Sequence, residues 1–427
     1  MTLPTISIIG SESIMPPLGL QYIASNLYGS NAIYVLDQAL RGFNLAPLYL
    51  DEEHNIKIIG VQGQEIVNVI KEKEIEFLGV SCNFSYQHNY LIETLEMIKI
   101  ECPNVKVVVG GNHVTAYHKA NPKMKNIDYY ISGEGELAFN HILRGTYKEG
   151  EVYQIENPDK INFPLRTDME EYLKINQPHD QATTKGARVA NMITSRGCPY
   201  NCLFCSVKNI WGRKFRPRSP ENVLAEVDEL VNKHQITEIH FEDDNLLADK
   251  KRMIEICKGL RKYKLKWTCP NGMDMSKLDE ELIEEMIASG LYRITICPES
   301  YNDRILKFLR KHFNTKMIDE KVALIRKYPI ELVGYFIVGA PMETYQEAWN
   351  TLKFASKFDS YDVSFLAPYP GTDFYAYCLE KDLLINRDDY SVIQADVCCI
   401  KLENMDASNL AQMIIFANQV RSFGVKL

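Results

Sequence analysis

The chain has 427 residues, room for two to three domains at about 150 residues each. Its 46% hydrophobic and 24% charged residues describe an ordinary globular protein and exclude a disordered or fibrous one. Forty-eight Lys and Arg against 56 Asp and Glu give a net charge of -8 without a long like-charge block, which argues against a nucleic-acid partner. No stretch approaches ~18 uninterrupted apolar residues, so no membrane segment is expected. The first residues lack a basic region followed by an apolar one, and eleven cysteines, an odd number, fit a reducing compartment. A cytoplasmic protein is the expectation.

Residues 5–10 read as a short buried strand, and Pro16-Pro17-Leu18-Gly19-Leu20 opens a helical pattern running to about residue 28. Further strands are expected at 32–36, 77–82, 105–109 and 129–132, with helices near 64–73, 86–100 and 137–143. Short apolar strands alternating with helices predict a parallel, doubly wound, Rossmann-like α/β domain over residues 1–147. In such a sheet ligands lie beyond the carboxyl ends of the strands. Asp37, Ser81-Cys82-Asn83, Gly110-Gly111-Asn112-His113 and Gly133-Glu134-Gly135-Glu136 stand at those ends. Paired glycines let a backbone approach a large ligand closely, although each motif alone is also an ordinary turn.

Residues 148–185 break the pattern with Asn157-Pro158, Phe163-Pro164 and Gln177-Pro178, and read as a linker able to wrap one domain onto another. A second alternation fills 186–372. Strands are expected at 189–194, 238–242, 266–269, 293–297, 332–338 and 362–366, and helices at 220–233, 250–263, 279–288, 315–327 and 344–357. Six strand-helix units suit an open, partial (β/α)6 barrel with its active groups at the carboxyl ends of the strands.

Just beyond the first of these strands comes Arg196-Gly197-Cys198-Pro199-Tyr200-Asn201-Cys202-Leu203-Phe204-Cys205-Ser206, a C-x3-C-x2-C run. Three thiolates from one loop can hold three irons of a four-iron cluster and leave the fourth open for chemistry. Structural zinc wants four ligands, and no His or second C-x2-C follows nearby. Three cysteines cannot pair among themselves, and Gly197 with Pro199 marks a turn rather than a core helix. Unusual residues recur at the other strand ends: Glu242-Asp243-Asp244-Asn245, Asn271, Glu299, Gly339 with Pro341, and Pro368-Tyr369-Pro370-Gly371-Thr372. Core packing explains the apolar strands but not this polar and Gly/Pro rim.

The cysteine run, with an aromatic residue before the last Cys, resembles the radical SAM superfamily. The ordered set Pro-Pro-Leu-Gly-Leu, Gly-Gly-x-His and Gly-Glu-Gly-Glu ahead of it resembles the cobalamin-binding domain of cobalamin-dependent radical SAM enzymes. Together the resemblance spans nearly residues 4–372. It implies that Cys198, Cys202 and Cys205 ligate a [4Fe-4S] cluster whose open iron chelates S-adenosylmethionine, and that Phe204 lies near the adenine. It places Glu242 or Asp243 near the amino group of S-adenosylmethionine, Glu299 near its ribose or methionine part, and Asn271, Gly339, Pro341 and Tyr369 along the same cofactor. Pro17, Leu18, Gly19, Asp37, Ser81, Gly110, Gly111, His113, Gly133, Glu134 and Glu136 are the implied cobalamin-side residues. The Asp-x-His-x-x-Gly motif of other cobalamin proteins is absent, since the spacing from Asp51 to His54 is wrong. His113 therefore reads as a cofactor contact or a hydrogen-bonded loop histidine, and not as a cobalt ligand.

The implied activity is methylation of an unactivated carbon or phosphorus centre by way of a deoxyadenosyl radical and methylcobalamin. Cobalamin-assisted cyclisation or rearrangement, and a first domain that has lost its cofactor, are the alternatives; a non-catalytic cluster protein is the third. A low-potential donor such as flavodoxin or ferredoxin is implied, with a small-molecule or peptide substrate. The tail, 373–427, carries Tyr375, Tyr377, Cys378, Tyr390, Cys398-Cys399 and a helical pattern over 407–423. Its aromatics read as core packing, or alternatively as a pocket lining.

Overall fold

The computed structural model describes residues 1–8, 14–27, 32–51, 56–120, 124–175, 184–387 and 389–422. The chain forms two compact units: Met1–Asn191 with Asn209–Gly212 and Glu229–Ile236, and Met192–Lys208 with Arg213–Asp228 and Thr237–Leu427. Among the described residues no helix is long and apolar enough to cross a membrane.

In the first unit β1 (Thr5–Ile8), β2 (Tyr49–Asp51) and β3 (Ile56–Ile59) form an antiparallel sheet in the order β1-β3-β2. Strands β4 (Phe77–Ser81), β5 (Lys106–Gly110) and β6 (Tyr129–Tyr130) form a parallel one, with Ser81 opposite Gly110 at its carboxyl edge. Val107, Val108 and Val109 are successive and all buried, as a strand covered on both faces requires. Leu91, Leu95 and Ile98 give the helix His88–Glu101 one buried stripe over the same core as Val67, Val107 and Val109. Each such side chain contributes about 1.5–3 kcal/mol on burial.

Three details differ from expectation, the first being that β1 pairs antiparallel in a sheet of its own instead of joining the parallel one. Residues 32–36 are not a strand: Leu36 accepts one bond from Thr2 N at 3.0 Å, and Asp37 then caps a short helix, Gln38–Gly42, through Ala39 N. The hairpin-like β2 and β3 were not expected, because each is only three or four residues long. Residues 9–10, His54 and Gln177-Pro178 lie outside the described set. The described part of the linker folds back on its own unit, with Asn162 N donating to Asn26 Oδ1 at 2.8 Å and Leu165 N to Gln21 O at 3.0 Å.

The second alternation builds β7 (Val189–Met192), β8 (Ser195–Arg196), β9 (Arg216–Pro217), β10 (Glu238–Phe241), β11 (Lys266–Thr268), β12 (Arg293–Glu299), β13 (Glu331–Val338) and β14 (Ser360–Phe365). The orders β7-β10-β11 and β12-β13-β14 are joined in sequence by parallel bridges Trp267↔Leu291 and Met273↔Ile296. The pairings of β10 with β11, β12 with β13 and β13 with β14 are parallel, the arrangement of a six-stranded partial barrel. Its helices start where the sequence supplies capping side chains: Asp249 accepts from Arg252 N, Asp279 from Leu282 N and Asn314 from Met317 N, and Thr344 with Glu347 forms a capping box. Such caps stabilise a helix by ~1 kcal/mol each.

Candidate active site

The three cysteines occupy a loop framed at its root by β8 paired antiparallel to β9. Gly197 turns the chain at φ +81, a conformation that favours glycine. The loop is then tied to two distant elements, Leu203 N donating to Leu309 O and Phe374 N to Leu203 O, both at 3.0 Å. Tyr200 donates to Asp274 Oδ2 at 2.6 Å, and Asn245 Nδ2 reaches Cys198 Sγ at 3.6 Å. Cys198, Cys202 and Cys205 are half-buried free thiols.

Burial pushes all three thiols up, that of Cys205 to about 12, so a metal's charge must drive their deprotonation on binding. Among the described residues no trio of His, Cys, Asp or Glu converges tightly enough for a single metal ion. A four-iron cluster holds its three cysteine sulfurs farther apart than one ion does, and three unpaired thiols on one anchored loop suit it.

The carboxylates just past β10 differ in burial. Asp243 is fully buried; its Oδ2 accepts from Thr194 N at 3.0 Å, and its Oδ1 takes the Thr194 hydroxyl at 2.8 Å and the Ser195 hydroxyl. Its carboxylate therefore braces the chain entering the cysteine loop. Glu242 and Asp244 stay half-buried. Burial, with the neighbouring Asp243 charge, pushes Asp244 up to about 7. The sequence motif assigns Asp244 no role, and its half-buried position sets it apart from the buried Asp243.

At the end of β12 the register slips between Ile296 and Glu299, and Glu299 takes a left-handed φ of +63. Such an irregularity re-aims a side chain at a cost of about 1 kcal/mol or more. The Glu299 carboxylate meets Lys311 Nζ at 3.0 Å, and that ammonium acts on Cys202 and Cys297. Sequence reasoning missed Lys311, since a lysine past a short helix looks like any solvated cation. Asn271 is exposed at the end of β11, and its carbonyl takes the Cys297 thiol at 3.8 Å. At the end of β13 Gly339 has φ +85, and Gly339 N and Ala340 N donate to Glu343 Oε2 at 2.7 and 3.1 Å. Burial raises the Glu343 carboxyl to about 7, and Pro341 O accepts from Glu403 N. Phe204 and Tyr369 are half-buried against a core that contains Leu203, Phe374, Cys378 and Ile400. The tail thus packs beneath the cysteine loop, and Cys399 donates to Val392 O and Val397 O, each at 3.1 Å.

In the first unit the predicted residues also separate. Gly19 is exposed with open space where a Cβ would sit, Pro17 precedes the first turn, and Leu18 is buried. Ser81, Gly110, Gly111 and Gly133 lie at the carboxyl edge of β4, β5 and β6. Gly111 has φ +106, and a Cβ there would stand 2.4 Å from Cys82 O. Asp37, His113, Glu134 and Glu136 are turned inward. Asp37 accepts from Thr2 Oγ1 at 2.8 Å and Tyr172 OH at 2.5 Å, and Glu134 Oε2 from Ile155 N at 3.3 Å. His113 contacts Ser85 Oγ at 3.2 Å and His88 Nδ1 at 3.0 Å, and burial with the His88 charge lowers its pKa to about 3. His113 lies in the first turn of the helix Asn112–Ala120 rather than in a loop, its ring buried and hydrogen-bonded. Small residues thus stand at the carboxyl edge of this sheet, with Asn83 Oδ1 2.8 Å from where a Gly111 Cβ would sit.

A Radical SAM superfamily model matches residues 192–355 and a B12 binding domain model residues 4–143. The chain is 29% identical over 421 residues to cytidylyl-2-hydroxyethylphosphonate methyltransferase of Streptomyces wedmorensis, covering 86% of this chain and 78% of that protein. It is 28% identical to an uncharacterized methyltransferase of Pyrococcus horikoshii, over 93% of this chain and 86% of the relative. Among solved structures it resembles the cobalamin-dependent S-adenosylmethionine radical enzyme OxsB with aqua-cobalamin and S-adenosylmethionine bound, at TM-score 0.65 and 17% identity over 85% of this chain and 60% of that one. It also resembles the radical S-adenosylmethionine methyltransferase TsrM from Kitasatospora setae, at TM-score 0.57 and 16% identity over 73% of this chain and 66% of that one. The chain carries a B12 binding domain followed by a radical SAM domain that holds the cysteine loop, the pairing of cobalamin-dependent radical SAM enzymes. Its cofactors are accordingly a four-iron cluster, S-adenosylmethionine and cobalamin.

Proposed function

We propose that this chain is a methyltransferase acting on an unactivated carbon or phosphorus centre of a small molecule or peptide. The observation that carries the reading is the three free cysteines on one anchored loop at the rim of a barrel that follows a B12 binding domain. When bound, the cluster with S-adenosylmethionine supplies a carbon-centred radical, and cobalamin supplies a transferable methyl group.

The chain's own residues bind and orient. Cys198, Cys202 and Cys205 would hold the cluster. Glu242 and Asp244 are the accessible carboxylates for the ammonium of S-adenosylmethionine, and the Lys311–Glu299 pair is suited to its carboxylate and ribose. Gly110, Gly111 and Gly133 would admit the corrin face. No strong general base is needed, so positioning and exclusion of water are the protein's main work. A low-potential donor, flavodoxin or ferredoxin, is required to deliver electrons.

The test is anaerobic reconstitution with iron, sulfide and hydroxocobalamin, desalting, an absorption spectrum, and a search for methylated product. Retained corrinoid and cluster with a methylated product support the proposal. Deoxyadenosine with a cyclised or rearranged product favours the alternative chemistry. Cluster without corrinoid reduces the first domain to a scaffold. Cys202→Ala should abolish cluster binding, and a full cluster in that variant overturns the ligand assignment.

A further inference from the structure

Asn245 has no part in the binding scheme above, yet its amide reaches a cysteine sulfur. Nδ2 stands 3.6 Å from Cys198 Sγ, across 47 positions of the chain, and the residue is 4% exposed. Its backbone is fixed from both sides. Asp243 is held by Thr194 and Ser195, Leu246 and Leu247 are fully buried, and Ala248 N donates to Asn245 O at 3.3 Å.

The other end of the amide is unsatisfied, since Asn245 Oδ1 is buried without a hydrogen-bond partner. A buried acceptor left unpaired costs about 1–3 kcal/mol, and an apolar side chain of the same shape avoids that cost. Packing alone therefore favours leucine at this position. What asparagine adds is an N–H beside sulfur. Turning the amide over would set its carbonyl dipole against an anionic sulfur, so Nδ2 is the atom that faces Cys198.

The neighbouring charges work against added negative charge on this sulfur. The carboxylates of Asp244 and Asp274 both act on Cys198 in that sense, while the Tyr200 N–H and the Asn245 amide act in the other. Reducing a four-iron cluster adds one negative charge, and hydrogen bonds to its sulfurs are among the factors that set its potential. Burial strengthens such a bond.

Resting on the cluster reading above, we propose that Asn245 sets the reduction potential of the cluster, its Nδ2–H donating to the Cys198 sulfur and favouring the reduced state. The electron comes from the low-potential donor, and no covalent bond forms or breaks in the step.

The experiment reconstitutes the full chain with iron and sulfide as wild type, Asn245→Leu and Asn245→Asp, and follows dye-mediated reduction of each by electron paramagnetic resonance. Asn245→Leu keeps the volume and removes the donor; Asn245→Asp keeps the shape and adds a charge. Both should retain wild-type iron, and the metal-free Leu variant should unfold at no lower temperature than the wild type. In the Leu variant the reduction equilibrium should fall about tenfold, which is about 59 mV for a one-electron couple, and in the Asp variant further. A potential that is unchanged in both variants, or that rises, overturns the inference. Loss of iron in both makes Asn245 a support of the loop and overturns it too. A wild type that takes up no four-iron cluster overturns the cluster reading itself.

Discussion

Lys311 Nζ lies 3.0 Å from Glu299 Oε1, and the two side chains are 10% and 9% exposed. Burial works against the Lys311 charge, but Glu299 with Cys202 and Cys297 outweighs it and holds the ammonium protonated. Burial likewise pushes the Glu299 carboxyl up against the pull of Lys311. Lys311→Met should therefore leave a buried, uncompensated carboxylate and destabilise the protein by about 3–5 kcal/mol, with Lys311→Arg much milder. Denaturant unfolding of both variants measures this. The affinity for S-adenosylmethionine should fall in Lys311→Met and be partly kept in Lys311→Arg.

Asp243 and Glu242 are neighbours for which opposite tasks are proposed. Asp243→Ala removes the acceptor for Thr194 N and the Thr194 and Ser195 hydroxyls, and should cost about 3 kcal/mol or more while reducing iron retention. Glu242→Gln should leave the melting temperature and iron content unchanged and raise the KM for S-adenosylmethionine. The reverse pattern would exchange the two assignments.

Gly111→Ala combines a left-handed φ of +106 with a Cβ 2.4 Å from a backbone carbonyl. Neither partner can yield as a flexible side chain would. A loss of about 2 kcal/mol or more is expected, together with weaker corrinoid retention after desalting. Gly19→Ala, whose Cβ meets open space, should leave stability intact.

His113 links stability to pH. Its pKa is lowered from 6.5 to about 3 in the folded protein, so the unfolded chain binds the extra proton first as pH falls. The stabilisation from a neutral His113 is fully present above about 6.5 and is lost progressively toward pH 3. Unfolding free energies between pH 7.5 and 4 should therefore fall less steeply in His113→Gln than in the wild type. Equal slopes would show that another group dominates the acid limb.

Much of the chemistry was legible from local pattern. Cys198, Cys202 and Cys205 sit within eight residues on one turn, so their joint role needs no long-range contact to be seen. The barrel strands were legible for a similar reason: buried parallel strands are short apolar runs, and the Asp, Asn and Thr caps mark where each helix begins. Local pattern, however, did not say which of the carboxylates after β10 is buried.

Local pattern carries the inventory: two α/β units, three thiols on one loop, and glycine-rich strand ends. The accessibility of each polar group instead follows from the fold, because it depends on partners far away in the chain. Asp37 meets Tyr172 across 135 positions and Asp243 meets Thr194 across 49, and each carboxylate thereby braces its unit. Lys311 moves the other way, from an unremarked cation to a buried partner of Glu299, because a short helix returns it to the strand end twelve residues earlier. A buried charge is tolerated only beside its partner, and that pairing is fixed by the fold, not by local spacing.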